Sequence, residues 1–570
     1  MAARYGVRRA ADVQGGDDRD PLEGIREAAA NLRWLDVFEA LSALDRRSGL
    51  AAGELELLAT AAFLLGRGQE CRQARLRAYQ LYLHEGEVHR AARCAARIGL
   101  EELGAGEVAE AAGCLPVSVS VCSAWATQAA ALIEHEPECP ERGFVLVPVA
   151  YERLAMADDP AGAAEAAEQA VALGRRFGDA DVLALALTIE GRALVRSARM
   201  SEGMALLDEG VAHVAAGEVS PAVAGIALSA AVDTGDEALE FARWDGWTGA
   251  LARWCDRQQG MVAFRCRSLV AQAAVERRHG RWDAALELAE RSCAPSIAGL
   301  DPMAAAAARY EQGEVWRLRG DLHGAGVAYR QAGALGFDPQ PGMALLRLAE
   351  GDTAAAQGAL ARALGEAHSR LERARLLPAR LEVLLAAGEY AAAADAAGEL
   401  ELIARDHATP ALEAAAGQAI AAVALADGDA SVALSSARQA RRVWRHFDLP
   451  YEQAQARALV ATCCQLLGDD ATAVLELEAA CDILAALGAK PALDHARALL
   501  GPANRTAYGL TRRELEVLAL LASGLTNRAI AERLHVTTRT VDTHVSRILT
   551  KLSVPTRAAA TAFAYRHGLV

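Results

Sequence analysis

Residues 428–433 read Gly428-Asp-Ala-Ser-Val-Ala, and 40 residues on the phrase returns as Gly468-Asp-Asp-Ala-Thr-Ala. Upstream, the same turn reads Gly280-Arg-Trp-Asp-Ala-Ala, Gly320-Asp-Leu-His-Gly-Ala, Gly351-Asp-Thr-Ala-Ala-Ala and Gly388-Glu-Tyr-Ala-Ala-Ala. Successive glycines are 40, 31, 37, 40 and 40 residues apart. Each follows an apolar helical pattern and stands where a helix ends in a left-handed residue. The acidic residue that usually follows suits the positive end of the next helix. Alanines beyond it let paired helices approach closely. Two such helices alone leave apolar faces uncovered, so the units must stack.

Looser copies begin at Gly86, Gly106 and Ala198, and extend the array over about Pro21 to Gly488. The period resembles that of tetratricopeptide-type repeats, though it is longer and less regular. Aromatics are 5% of the 570 residues, and runs of Val, Ile and Thr are scarce. The expected fold is therefore all-α: a tetratricopeptide-like solenoid followed by a small four-helix domain. The repeat pattern specifies helices and no ligand. It fits a scaffold for protein docking or a concave surface that receives a protein or small-molecule effector. Trp244, Trp247 and Trp254 lie in the most aromatic stretch and are the candidate effector site, with interface core as the alternative. Residues 1–20 read as a disordered leader. Gly501-Pro502-Ala-Asn-Arg-Thr breaks the helical pattern, and 489–509 is assigned as linker.

The tail, 510–570, reads LTRRELEVLALLASGLTNRAIAERLHVTTRTVDTHVSRILTKLSVPTRAAATAFAYRHGLV. Thr511 and Glu514 form a capping box, and the helix it opens stops near Gly524. Thr526 starts a second helix through Leu534, and Thr537 starts a third after a tight turn at His535-Val536. On that third helix Val541, Val545, Ile548 and Leu552 form the core stripe. The opposite face presents Arg539, Thr543, Ser546, Arg547 and Thr550. Thr540, His544 and Lys551 run along one flank and Asp542 along the other. A carboxylate beside a basic face suits a helix entering a major groove, where it accepts from cytosine N4 while hydroxyls and methyls meet other base edges. Candidate DNA-binding residues are Asn527, Thr537, Arg539, Thr540, Asp542, Thr543, His544, Ser546, Arg547 and Lys551.

The same run closely resembles the LuxR-type helix-turn-helix domain, in its Leu-Thr-x-Arg-Glu start, Gly524, Asn527, Ile530-Ala531 and Arg539-Thr-Val541. The resemblance implies base contacts at Thr543 and Ser546, with Asp542 beside them. Other members often carry Lys at the positions of Asp542 and Ser546, so the operator is expected to differ from theirs. It also implies that the last helix, about Thr556 to Tyr565, pairs two modules on double-stranded DNA as a homodimer.

Charge divides the chain. The net is −15, yet 510–570 holds nine Lys/Arg and four Asp/Glu, a net of +5, which leaves −20 for the remainder. An acidic body with a basic end meets DNA through that end. Only two lysines occur, Lys490 and Lys551, and neither follows a glycine loop, so a phosphate-binding P-loop is not expected. The lysine shortage also argues against a receiver domain. No catalytic cluster stands out, and neither an enzyme activity nor a cofactor is expected. The eleven cysteines show no zinc spacing, with Cys463 and Cys464 the only close pair, and read as inert thiols of a reduced, cytoplasmic protein, with a redox role as the alternative. Ala111 to Ile133 lacks charge for 23 residues, but its Pro, Ser, Thr and Gln make it a poor membrane span.

Overall fold

Helices in the array break where the Gly-Asp turns put them. The computed structural model describes residues 21–106, 115–155, 158–294, 299, 301–500, 508, 510–534 and 536–569. The leader and nearly all of 501–509 lie outside that set. Gly428 adopts φ +85°, and the Asp429 carboxylate accepts from the backbone N–H groups of Ser431 (3.2 Å) and Val432 (3.1 Å). Asp321, Asp352 and Asp469 cap their helices through Gly324, Ala355 and Thr472 in the same way. The acidic residue is thus the N-cap itself, supplying an acceptor that the first turn lacks. Where Arg281 or Glu389 stands at that place, no side-chain cap forms.

Among the described residues there are 29 helices and no strand, and 25 of the helices lie between Pro21 and Leu500. Each packs chiefly on its sequence neighbour, and the short turns make neighbours antiparallel. The architecture is a tetratricopeptide-like solenoid. Many of its contacts use small residues: the helix Pro410–Ala426 buries Ala411, Ala414, Ala416, Ala419 and Ala421 beside Leu412. Backbones come close where Ala180–Arg196 meets Met200–Ala215. A Cβ added at Gly203 would lie 2.5 Å from the Gly191 carbonyl oxygen, and one at Gly191 would lie 2.8 Å from that of Gly203.

The array also folds back on itself. Trp34 Nε1 donates to Gln258 Oε1 at 2.8 Å, in a buried contact 224 residues apart in sequence, and Arg33 forms a parallel bridge with Gln259. Arg375 pairs with Asp236 at 3.1 Å, and His279 Nδ1 lies 3.0 Å from the Asp448 carbonyl. An open solenoid has only neighbour contacts. This one closes against later turns of its own helix.

Two expectations require correction. Residues 489–500 are not linker: Lys490–Leu500 is a helix, and Ala489, Leu493, Ala496 and Leu500 belong to the apolar core of the array's end. Leu493 and Ala496 face that core because they sit one helical turn apart; the break in pattern comes only after Leu500. Trp244, Trp247 and Trp254 are 2–6% exposed and sit in the main core. Phe264 meets Trp254 edge to face, and Trp244 packs beside Phe241. These rings have no open face for an effector. Cys463 and Cys464 are free and buried, and burial pushes both thiols up. No helix among the described residues is long and apolar enough to cross a membrane.

Candidate nucleic-acid interface

Four threonines build the tail. Thr511 and Glu514 satisfy each other's backbone N–H groups at 2.8 and 3.1 Å, opening Arg512–Ala522. Thr526 accepts from Ala529 N–H, Thr537 from Thr540 N–H and Thr556 from Ala559 N–H. These caps start Asn527–Arg533, Thr538–Lys551 and Arg557–Arg566. The four helices enclose their own core of Leu510, Val517, Leu518, Leu521, Ile530, Ala531, Val541, Ile548, Leu552, Ala560 and Ala564. Val545 packs on its edge. The expected apolar stripe is therefore the stripe observed.

With Val541 and Ile548 turned inward, Thr538–Lys551 shows solvent a row of Arg539, Asp542, Thr543, Ser546 and Thr550. The Thr543 hydroxyl donates to the Arg539 carbonyl at 3.0 Å, and that of Thr550 to the Ser546 carbonyl at 3.1 Å. Their free lone pairs and methyl groups remain available to a base edge. Asp542 is aimed from outside its helix. Its carboxylate accepts from Asn527 Nδ2 at 2.7 Å, and Asn527 Oδ1 accepts from Arg557 at 2.6 Å. Arg557 also donates to the Leu525 carbonyl. One chain of bonds thus ties the last helix, the second helix and the exposed row.

The row and its caps bring together Asn527, Thr537, Arg539, Thr540, Asp542, Thr543 and Ser546. Within it, the Thr537 and Thr540 hydroxyls are 2.8 Å apart. His544 departs from expectation: it is 2% exposed, and burial above all pushes its ring down to about 4. It stays neutral and faces inward, so it offers no cation to a phosphate. Arg547, expected on the face opposite the core, and Lys551, expected on the flank, both have partners in the chain. Arg547 lies 2.8 Å from Glu478 and 3.8 Å from Asp482. Lys551 lies 2.8 Å from Glu514 and 3.3 Å from Glu478. Burial and the neighbouring Glu514 push the Glu478 carboxyl up, and the two cations pull it back.

Sequence reasoning missed Arg557 and Arg513. Arg513 donates to the Leu534 carbonyl at 2.9 Å and closes the end of the second helix. An arginine at a helix start looks the same in sequence whether it faces solvent or a neighbour's last carbonyl, so no signal was available for either.

Residues 509–564 match the family model described as bacterial regulatory proteins, luxR family. The tail is a luxR-family domain. It is 49% identical over 61 residues to the protein named response regulator protein VraR in Staphylococcus aureus (strain Mu3 / ATCC 700698) and in Staphylococcus saprophyticus subsp. saprophyticus. The match covers 11% of this chain and 29% of each relative, so the chain spans less than a third of the length of these curated relatives. Beyond the luxR-family tail, the chain is similar to a solved structure titled APC/C hetero-tetramer Cut9-Hcn1. That likeness covers 83% of this chain and 95% of the other, at 11% identity and a TM-score of 0.33.

Proposed function

We propose that this chain is a sequence-specific transcriptional regulator of the LuxR type, in which the tail reads an operator and the helical array receives an effector or protein partner. The observation that carries this is the exposed row Arg539, Asp542, Thr543, Ser546 and Thr550 on the third helix of the luxR-family domain. It offers a cation, a carboxylate and hydroxyls at one helical face, as major-groove readout requires. The reading includes a homodimer on DNA. Arg557–Arg566 buries Ala560 and Ala564 and leaves Ala558, Ala562 and Tyr565 open for a second copy. It also places the protein in the cytoplasm, without catalytic activity. For a small effector, the first place to test is an open cavity of about 490 Å³, lined among others by Ile133, Glu138, Arg142, Leu146 and Arg176.

The test is selection of bound duplexes from a random-sequence pool by the full chain. A single enriched motif is expected. Arg539→Ala should then bind the recovered duplex about 10-fold more weakly, the loss of one good base or phosphate contact. Thr543→Ala should shift preference at one base position. If no sequence is enriched, the reading fails, and the array's role as a docking scaffold becomes the primary one.

A further inference from the structure

The recognition helix is held by the array at one flank. Three ion pairs join them: Arg547 with Glu478 and Asp482, and Lys551 with Glu478. Both carboxylates belong to the array helix Asp470–Leu487. Glu478 is 6% exposed, so this is an enclosed contact at its centre, and Asp482, with its side chain 75% exposed, guards the rim.

A helix lying in a major groove has base edges in front of it and a phosphate strand along each side. On this helix the base-facing row is open, while the side that would meet one phosphate strand is taken. Where phosphates would approach Arg547 and Lys551, the array already supplies carboxylates, and Asp482 adds a charge that repels DNA. The two binding modes demand the same cations.

The seam is also built to part. The tail's apolar core contains no array residue, and the core at the end of the array contains no tail residue. Releasing the flank exposes charged groups to water, which hydrates them, and uncovers little apolar surface. Tyr508 packs on Phe563 and His567 of the tail, and the seven positions between Leu500 and Tyr508 are enough for a span of up to about 25 Å. The tail therefore has the reach to leave the array while both keep their folds.

We propose that Glu478 and Asp482 form an autoinhibitory latch, in which the array competes with DNA for Arg547 and Lys551. Any ligand of the array that displaces Asp470–Leu487 from the tail frees the reader. The latch rests on the reading of the tail as a DNA-binding module.

The test compares full-length wild type with the E478Q/D482N double variant, which keeps side-chain shape and removes charge. The probe is a labelled duplex recovered by that variant from a random-sequence pool. The variant should bind about 10-fold more tightly than wild type, with an unchanged thermal midpoint. D482N alone, at an exposed residue, should move affinity in the same direction by less. A charge-matched control, D395N/E401Q on two exposed acids of the helix Tyr390–His407, should leave affinity unchanged. Equal affinity of wild type and E478Q/D482N overturns the latch. So does an equal gain in the control, which would show only that net charge had changed. Failure of both proteins to enrich any duplex overturns the DNA reading itself.

Discussion

The tail and the array are both purely helical, yet they cohere by different means. The tail's core is mostly Leu, Ile and Val, with three alanines, around four threonine caps, and every residue of that core lies within one 61-residue run. The array's interfaces mix large side chains with many alanines, which bury little area each, so where alanines meet, stability depends on how near the backbones come. Its closing contacts join residues 224 apart. A module of the first kind announces itself in a short run of sequence. One of the second kind shows its repeat but hides its closure.

Acid acts on the tail through one buried ring. His544 is buried and its ring is pushed down to about 4, below the value of about 6.5 for an unfolded chain. The unfolded tail therefore binds more protons between those values. Stability is fully present above about pH 6.5 and is lost as pH falls toward 4, by up to about 3 kcal/mol. Unfolding of the tail followed across that window should show this slope, and His544→Phe should flatten it. A slope unchanged by the substitution would assign it to other groups.

Gly203→Ala sharpens the array's side of the contrast. Helix propensity alone predicts a gain of about 1 kcal/mol, whereas a Cβ 2.5 Å from the Gly191 carbonyl predicts a loss of about 2 kcal/mol through forced separation of two helices. The sign of the change in urea midpoint decides between them. Trp34→Phe is expected to cost about 1.5 kcal/mol, because it leaves Gln258 buried without its donor. If it costs nothing, the closure is incidental to the array's stability.

How much was legible follows the same division. The Gly-Asp turns, the capping threonines and the stripe Val541–Ile548–Leu552 are local patterns, and the structure has each where the periodicity puts it. His544 reads as a flank residue because its helical angle lies at the border of the apolar stripe and its polarity argues for solvent. Burial of a neutral imidazole decides otherwise. Arg547 and Lys551 read as DNA contacts because their array partners, Glu478 (69 and 73 residues away) and Asp482, are remote in the chain, and no spacing rule reaches that far. The helix Lys490–Leu500 reads as linker because the Gly501-Pro502 break dominates the pattern beside it. Trp244, Trp247 and Trp254 drew notice for being rare in an alanine-rich chain, and rarity marks bulk needed in the core as readily as a pocket wall.

The contact between Trp34 and Gln258 changes what the ends of this molecule are. An open stack of repeats wears from its termini, one unit at a time, and a shortened stack is still a stack. Here the helix Trp34–Ser48 is the lining of a seam whose other half comes 224 residues later. Removing that first stretch would not shorten the array so much as open a hole in its side, and the wound would appear in the middle of the chain.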